Sequence, residues 1–144
     1  MSIAKLMFLC ITLVASTEVL AQGKDREKPA KDSFQGRSET CGPVVGKTAK
    51  DLRNLQTFCS QGIPKGAVVG AYAMGPLLWI KVSRLMAEGL RADRLSAEQL
   101  VRNWIRGWKS NSDSRAVTVT VEWRDVEIAK SQTTWSGKDE VTIR

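Results

Sequence analysis

The first 21 residues decide the compartment in which everything after them folds. Lys5 supplies a positive start, Leu6 to Ala15 form an uncharged, mostly apolar run, and Val19-Leu20-Ala21 set small residues at the two positions a signal peptidase reads. This is the anatomy of a secretory signal, so the sequence predicts cleavage near Ala21, a mature chain beginning near Gln22, and an exported protein, periplasmic or secreted. The apolar run is far shorter than the ~20 residues a membrane-spanning helix needs. Cleavage also removes Cys10, and bulky Phe8 and Leu9 do not suit lipid attachment there.

Export governs the reading of the remaining cysteines. Cys41 and Cys59 are an even pair in an oxidising compartment, which predicts a disulfide. Zinc competes for paired cysteines, but its sites usually take four Cys or His ligands and the chain has no histidine. Without histidine there are no Ser-His or Cys-His nucleophile pairs, and the side chain best suited to proton transfer near neutral pH is missing. The sequence therefore predicts no catalytic residue, no cofactor and no metal, and a binding or interaction module rather than an enzyme. The enzymatic alternative is a carboxylate-dependent envelope enzyme using groups such as Glu98 or Asp125, although the acidic residues are spaced as solvated surface groups would be.

The net charge is +7, and the signal, with one lysine and one glutamate, contributes nothing to it. A basic exported protein suits an anionic envelope polymer, an anionic membrane surface or an acidic protein. Nucleic acid is not expected as a partner.

The mature chain is long enough for one domain. Residues 22–40, centred on Lys24-Asp25-Arg26-Glu27-Lys28-Pro29-Ala30-Lys31-Asp32, carry little that could be buried and read as a flexible charged leader, leaving 41–144 as a single domain. Thr48-Ala49-Lys50-Asp51 offers a helix cap, with Leu52, Leu55, Phe58 and Cys59 spaced along one face until Gly62 and Pro64. Gly66 to Ile80 is the longest uncharged run after the signal. It reads as a buried helix interrupted at Gly75-Pro76, with a membrane-associated envelope component as the alternative. From Pro76 an amphipathic pattern puts Leu78, Val82, Leu85 and Met86 on one helical face.

Leu95-Ser96-Ala97-Glu98-Gln99-Leu100 fits a capping box with a hydrophobic staple, predicting a helix that starts at Ser96. Beyond Arg115 the period changes: Val117, Val119, Val121 and Trp123 alternate with Thr118, Thr120, Glu122 and Arg124, which is a half-buried strand. Ser136-Gly137-Lys138-Asp139 makes a turn between two further strands. Helices first and strands afterwards predict an α+β fold, two to three N-terminal helices packed on a small C-terminal antiparallel sheet of three to four strands.

Two features suit a partner. Arg102, Arg106 and Lys109 interleave with Trp104 and Trp108, a pattern in which cations meet an anionic polymer while indoles stack; the apolar neighbours Leu100, Val101 and Ile105 favour the two tryptophans as core anchors. Trp135, beside Thr133, Thr134 and Lys138, is the other candidate binding residue, with cross-strand packing as its structural alternative.

Tyr72-Ala73-Met74-Gly75 followed by Leu95-Ser96-Ala97-Glu98-Gln99-Leu100-Val101 resembles the order of motifs in periplasmic immunity proteins that block cell-wall amidase effectors, over the span 72–101. The resemblance implies an inhibitor or immunity-type protein. The chain departs from that pattern in lacking the further cysteines and the His-Pro element, and in ending in strands where such proteins are helical, so it carries no assignment.

Overall fold

Pro76 and Gly75 turn the chain back on itself in the middle of its longest uncharged run, and the two halves pair as strands. The computed structural model describes residues 33–144; the expected signal at 1–21 and residues 22–32 of the expected leader lie outside it. The described chain runs β1 (Phe34–Ser38), β2 (Gly42–Gly46), α1 (Ala49–Cys59), β3 (Val68–Met74), β4 (Leu77–Val82), α2 (Arg84–Ala92), α3 (Arg94–Ser112), β5 (Thr118–Trp123), β6 (Val126–Thr133) and β7 (Asp139–Ile143). The strands form one seven-stranded sheet in sequential order, β1 to β7. β2 and β3 are parallel across α1, β4 and β5 are parallel across α2 and α3, and the other neighbours are antiparallel.

This corrects the expected architecture. The class stays broadly α+β, but the helices are interleaved with strands rather than N-terminal, and the sheet is mixed and seven-stranded. The largest misreading is Gly66 to Ile80. Its lack of charge comes from lying at the centre of the sheet, where Ala71, Ala73, Leu78 and Ile80 are buried on one side and Tyr72 and Trp79 occupy the other. A strand whose more exposed side also carries apolar groups shows neither helical nor alternating period. The leader reading also ends sooner than expected, because Phe34–Ser38 is the edge strand β1.

Helix α1 begins where the sequence indicates. Thr48 is its N-cap: the Thr48 hydroxyl accepts from Asp51 N–H at 3.0 Å, and the Asp51 carboxylate accepts from Thr48 N–H at 3.1 Å. Asp51 also accepts from Gly75 N–H at 3.1 Å, tying the helix start to the β3–β4 turn. Helix α3 starts two residues before the expected Ser96. Asp93 caps it, accepting from Ser96 N–H at 3.1 Å and Ser96 Oγ–H at 2.7 Å, and Leu95 is 81% exposed, so no staple forms. A carboxylate one turn upstream is the stronger acceptor for those orphan amides.

Cys41 and Cys59 form the disulfide, Cα–Cα 5.8 Å, joining the start of β2 to the end of α1. Closing a loop of sequence separation 18 stabilises a fold by about 3 kcal/mol in the chain-entropy account.

Helix α1 lies on β1, β2 and β3, α3 lies on β5, β6 and β7, and the two helices touch, with Phe58 edge-on to Trp108 at 5.9 Å between centroids. Both helices therefore occupy one face of the sheet, over the buried row Val44, Ala71, Ile80, Val121, Ala129 and Ile143. The two crossovers advance the same way along the sheet between strand pairs of opposite direction. Helices on one face then require that one crossover have the left-handed sense, which is rare for such connections. Two bulges adjust the sheet: at Val68/Gly70 the exposed Val69 is the extra residue, and opposite Val121/Glu122 the extra Ile128 turns inward with Ala129.

Candidate binding surface

One face of the sheet carries α1 and α3, with α2 packed against α3, and among the described residues no helix lies on the other face. The register aligns seven side-chain positions across this open face, one per strand: Gln35, Val45, Tyr72, Trp79, Thr120, Lys130 and Thr142. Neighbouring strands lie about 4.8 Å apart, so the row crosses the full width of the sheet. Tyr72 and Trp79 are half-buried, with ring centroids 5.3 Å apart and planes inclined by 33°. Met74 and Leu77, next along the same two strands, extend the apolar patch. On the β5–β7 side the face turns polar, with Thr118, Thr120, Glu122, Lys130, Gln132, Glu140 and Thr142.

This division reflects chain position. β3 and β4 are central strands with close neighbours on both sides, where aromatic cross-strand pairs contribute most, whereas β6 and β7 approach the edge and stay solvated. The result is an aromatic platform beside a polar half that carries hydroxyl, amide, ammonium and carboxylate groups. Such a platform stacks against a flat ring or sugar face while the polar half meets its substituents. Sequence reasoning misses Tyr72 and Trp79 because it assigns them to a buried helix. The signal that could find them is the register of two short runs about Gly75-Pro76, which brings Tyr72 opposite Trp79.

The basic stripe on α3 has a structural task. Arg102 Nη1 donates to Asp139 O at 3.0 Å, and Lys109 Nζ sits 2.5 Å from Asp139 Oδ1. These two side chains therefore clamp the start of edge strand β7 to α3, while Arg106 is exposed. Trp135 is 100% exposed on the β6–β7 turn, which is closed by Thr134 N–H to Lys138 O at 2.7 Å and leads into Asp139. Trp104 and Trp108 are buried.

Burial pushes the Asp139 carboxyl up, but hydrogen bonds from Lys109 and Thr133, with the charges of Lys109 and Arg102, outweigh it and hold it below the ordinary aspartate value. A carboxylate held low in the fold stabilises it above the unfolded-state value near 3.8, and that contribution fades as pH falls from there toward the folded value. Asp139→Asn is therefore expected to flatten the loss of stability below about pH 4, measured by urea denaturation across pH. An unchanged acid limb in the variant would show that the clamp does not couple to folding.

Carboxylate pairing gives little to a catalytic reading. Asp125 is exposed and lies 3.5 Å from Lys81 Nζ. Glu122 and Glu127 are cross-strand partners, but Glu127 is held by Arg144. Among the described residues no group of three or more His, Cys, Asp or Glu could hold a metal, and no helix is long and apolar enough to cross a membrane. Comparison with family models, with characterised proteins and with solved structures finds no match.

Proposed function

We propose that this chain is an exported, disulfide-bonded binding module that holds an anionic glycan polymer of the envelope against the open face of its sheet. The observation that carries the reading is the half-buried Tyr72–Trp79 pair on the uncovered face, aligned with Thr120 and Lys130. Aromatic faces stack on sugar rings, hydroxyl and amide groups bond their substituents, and a lysine answers an acidic one. The net charge of +7 draws the polymer in, and the disulfide fits a protein that matures outside the reducing interior. The reading takes the exposed Trp135 as an outlying contact, leaves Arg102 and Lys109 to hold β7, and gives no part to Arg106, which belongs to α3 on the covered face.

The test uses polygalacturonate as a carboxylated glycan and dextran as an uncharged one. The mature protein is expected to bind the first, more weakly as salt rises, and to bind the second less well. Trp79→Ala and Tyr72→Ala should each weaken binding about tenfold, the size of one lost stacking contact. Equal binding by the double variant and the parent would remove the open face from the reading. Retention of either polymer without salt dependence would remove the anionic character of the partner.

A further inference from the structure

On the helical side of the sheet, away from the Tyr72–Trp79 platform, two arginines converge on one indole. Trp123 ends β5, half-buried, and packs against the core. The Arg91 guanidinium, in the last turn of α2, lies 5.5 Å from its ring centroid, and that of Arg124 lies 4.8 Å from it. A guanidinium seated on an aromatic face is held by the ring quadrupole while its in-plane N–H groups stay free for other acceptors. Both arginines belong to exposed positions. The acidic residues beside them are otherwise engaged: Glu88 accepts from Arg84 Nε at 2.9 Å, Asp93 caps α3, and Asp125 faces Lys81 at 3.5 Å.

The backbone adds an independent sign. Arg124 and Asp125 are the two residues between the paired Trp123 and Val126, and both have positive φ, 52° and 62°. A two-residue hairpin turn of this kind favours Asn-Gly. Arginine in the left-handed region is a strained choice that asparagine or glycine would avoid, and such strain persists where a particular side chain is needed.

We propose that Arg91 and Arg124, set around Trp123, form a second binding site, one that takes an oxyanion group, phosphate or carboxylate, of a ligand. Arginine presents planar paired donors that match both groups. The site does not depend on the open face, so it stands or falls separately from the glycan reading.

The experiment tracks the Trp123 indole N–H signal, assigned by Trp123→Phe, in the full mature chain titrated at constant ionic strength with sodium phosphate and, separately, with sodium acetate. A saturable shift is expected, and the anion that saturates at lower concentration identifies the phosphate or carboxylate source. Arg91→Gln should weaken the response about tenfold, the loss of one charge-assisted contact. Arg124→Asn should weaken it likewise while raising the thermal midpoint, because it relieves the strained turn. A merely structural clamp makes the opposite forecast: no saturable response to either anion, and a lower midpoint for Arg124→Asn. Either of those results overturns the proposal, as does an unchanged response in Arg91→Gln.

Discussion

Gly46→Ala is expected to destabilise the fold by at least about 3 kcal/mol, the upper range for overpacking, because the added methyl group would meet backbone and not a movable side chain. A Cβ at Gly46 would stand 2.3 Å from Leu52 N, 2.7 Å from Leu52 Cα and 2.8 Å from Thr48 O. Those atoms belong to the cap and first turn of α1, where Leu52 N–H donates to Thr48 O at 3.0 Å. Relief would require sliding α1 off β2. That movement pulls on the buried Leu55 and Phe58 and on Cys59, which the disulfide fixes to Cys41. Gly89, on the exposed side of α2, supplies the control. A Cβ there meets nothing within 4 Å, so Gly89→Ala should gain about 0.5–1 kcal/mol from helix propensity. Urea denaturation of the two variants should move the midpoints in opposite directions. A Gly46→Ala variant as stable as the parent would mean that α1 does not press on β2.

The features legible in the sequence are those whose signal is local. Thr48 and Asp51 announce the start of α1 because a capping box is complete within four residues. Val117, Val119 and Val121 announce β5 because one side of that strand is buried and the other solvated. The Cys41–Cys59 pairing is legible from the count of cysteines in an expected exported chain. The hidden features depend on partners far along the sequence. β1, Phe-Gln-Gly-Arg-Ser, is a strand only because β2 pairs with it, and Gly36 suits it because a Cβ there would lie 2.7 Å from Gln56 Nε2. β3 and β4 lack alternation because the open face also carries apolar groups. The aromatic pair, and with it the candidate surface, is hidden along with those strands. Arg102 and Lys109 look free to meet a partner because nothing in their own helix reveals Asp139, 30 or more residues away. The consequence for their use as probes is direct: replacing Arg102, Arg106 and Lys109 together by Gln disturbs the β7 clamp as well as any surface charge, so Arg106 alone is the clean substitution.

Trp108→Ala is expected to lose about 3 to 5 kcal/mol, the range for a buried Trp or Phe cut back to alanine. Trp108 is fully buried, stands edge-on to Phe58 of α1 with planes at 86°, and donates from Nε1 to Pro76 O at 3.1 Å. It thereby joins α3 to α1 and to the β3–β4 turn. Trp104, one turn earlier, is also buried, but its Nε1 finds no partner. The two sites should therefore answer differently to phenylalanine. Trp108→Phe leaves Pro76 O with the Thr118 N–H at 3.2 Å, so it should cost only about 1 kcal/mol for the lost bond beyond the change in packing. Trp104→Phe removes a buried donor that is unmatched and should cost less than Trp108→Phe. The functional consequence runs through Pro76, since the same hairpin sets Tyr72 against Trp79. If Trp108 holds that turn, Trp108→Phe should weaken binding at the open face more than Trp104→Phe does, at equal fraction folded. Equal binding by the two variants would mean that the turn is positioned by Asp51 and the strand pairing alone.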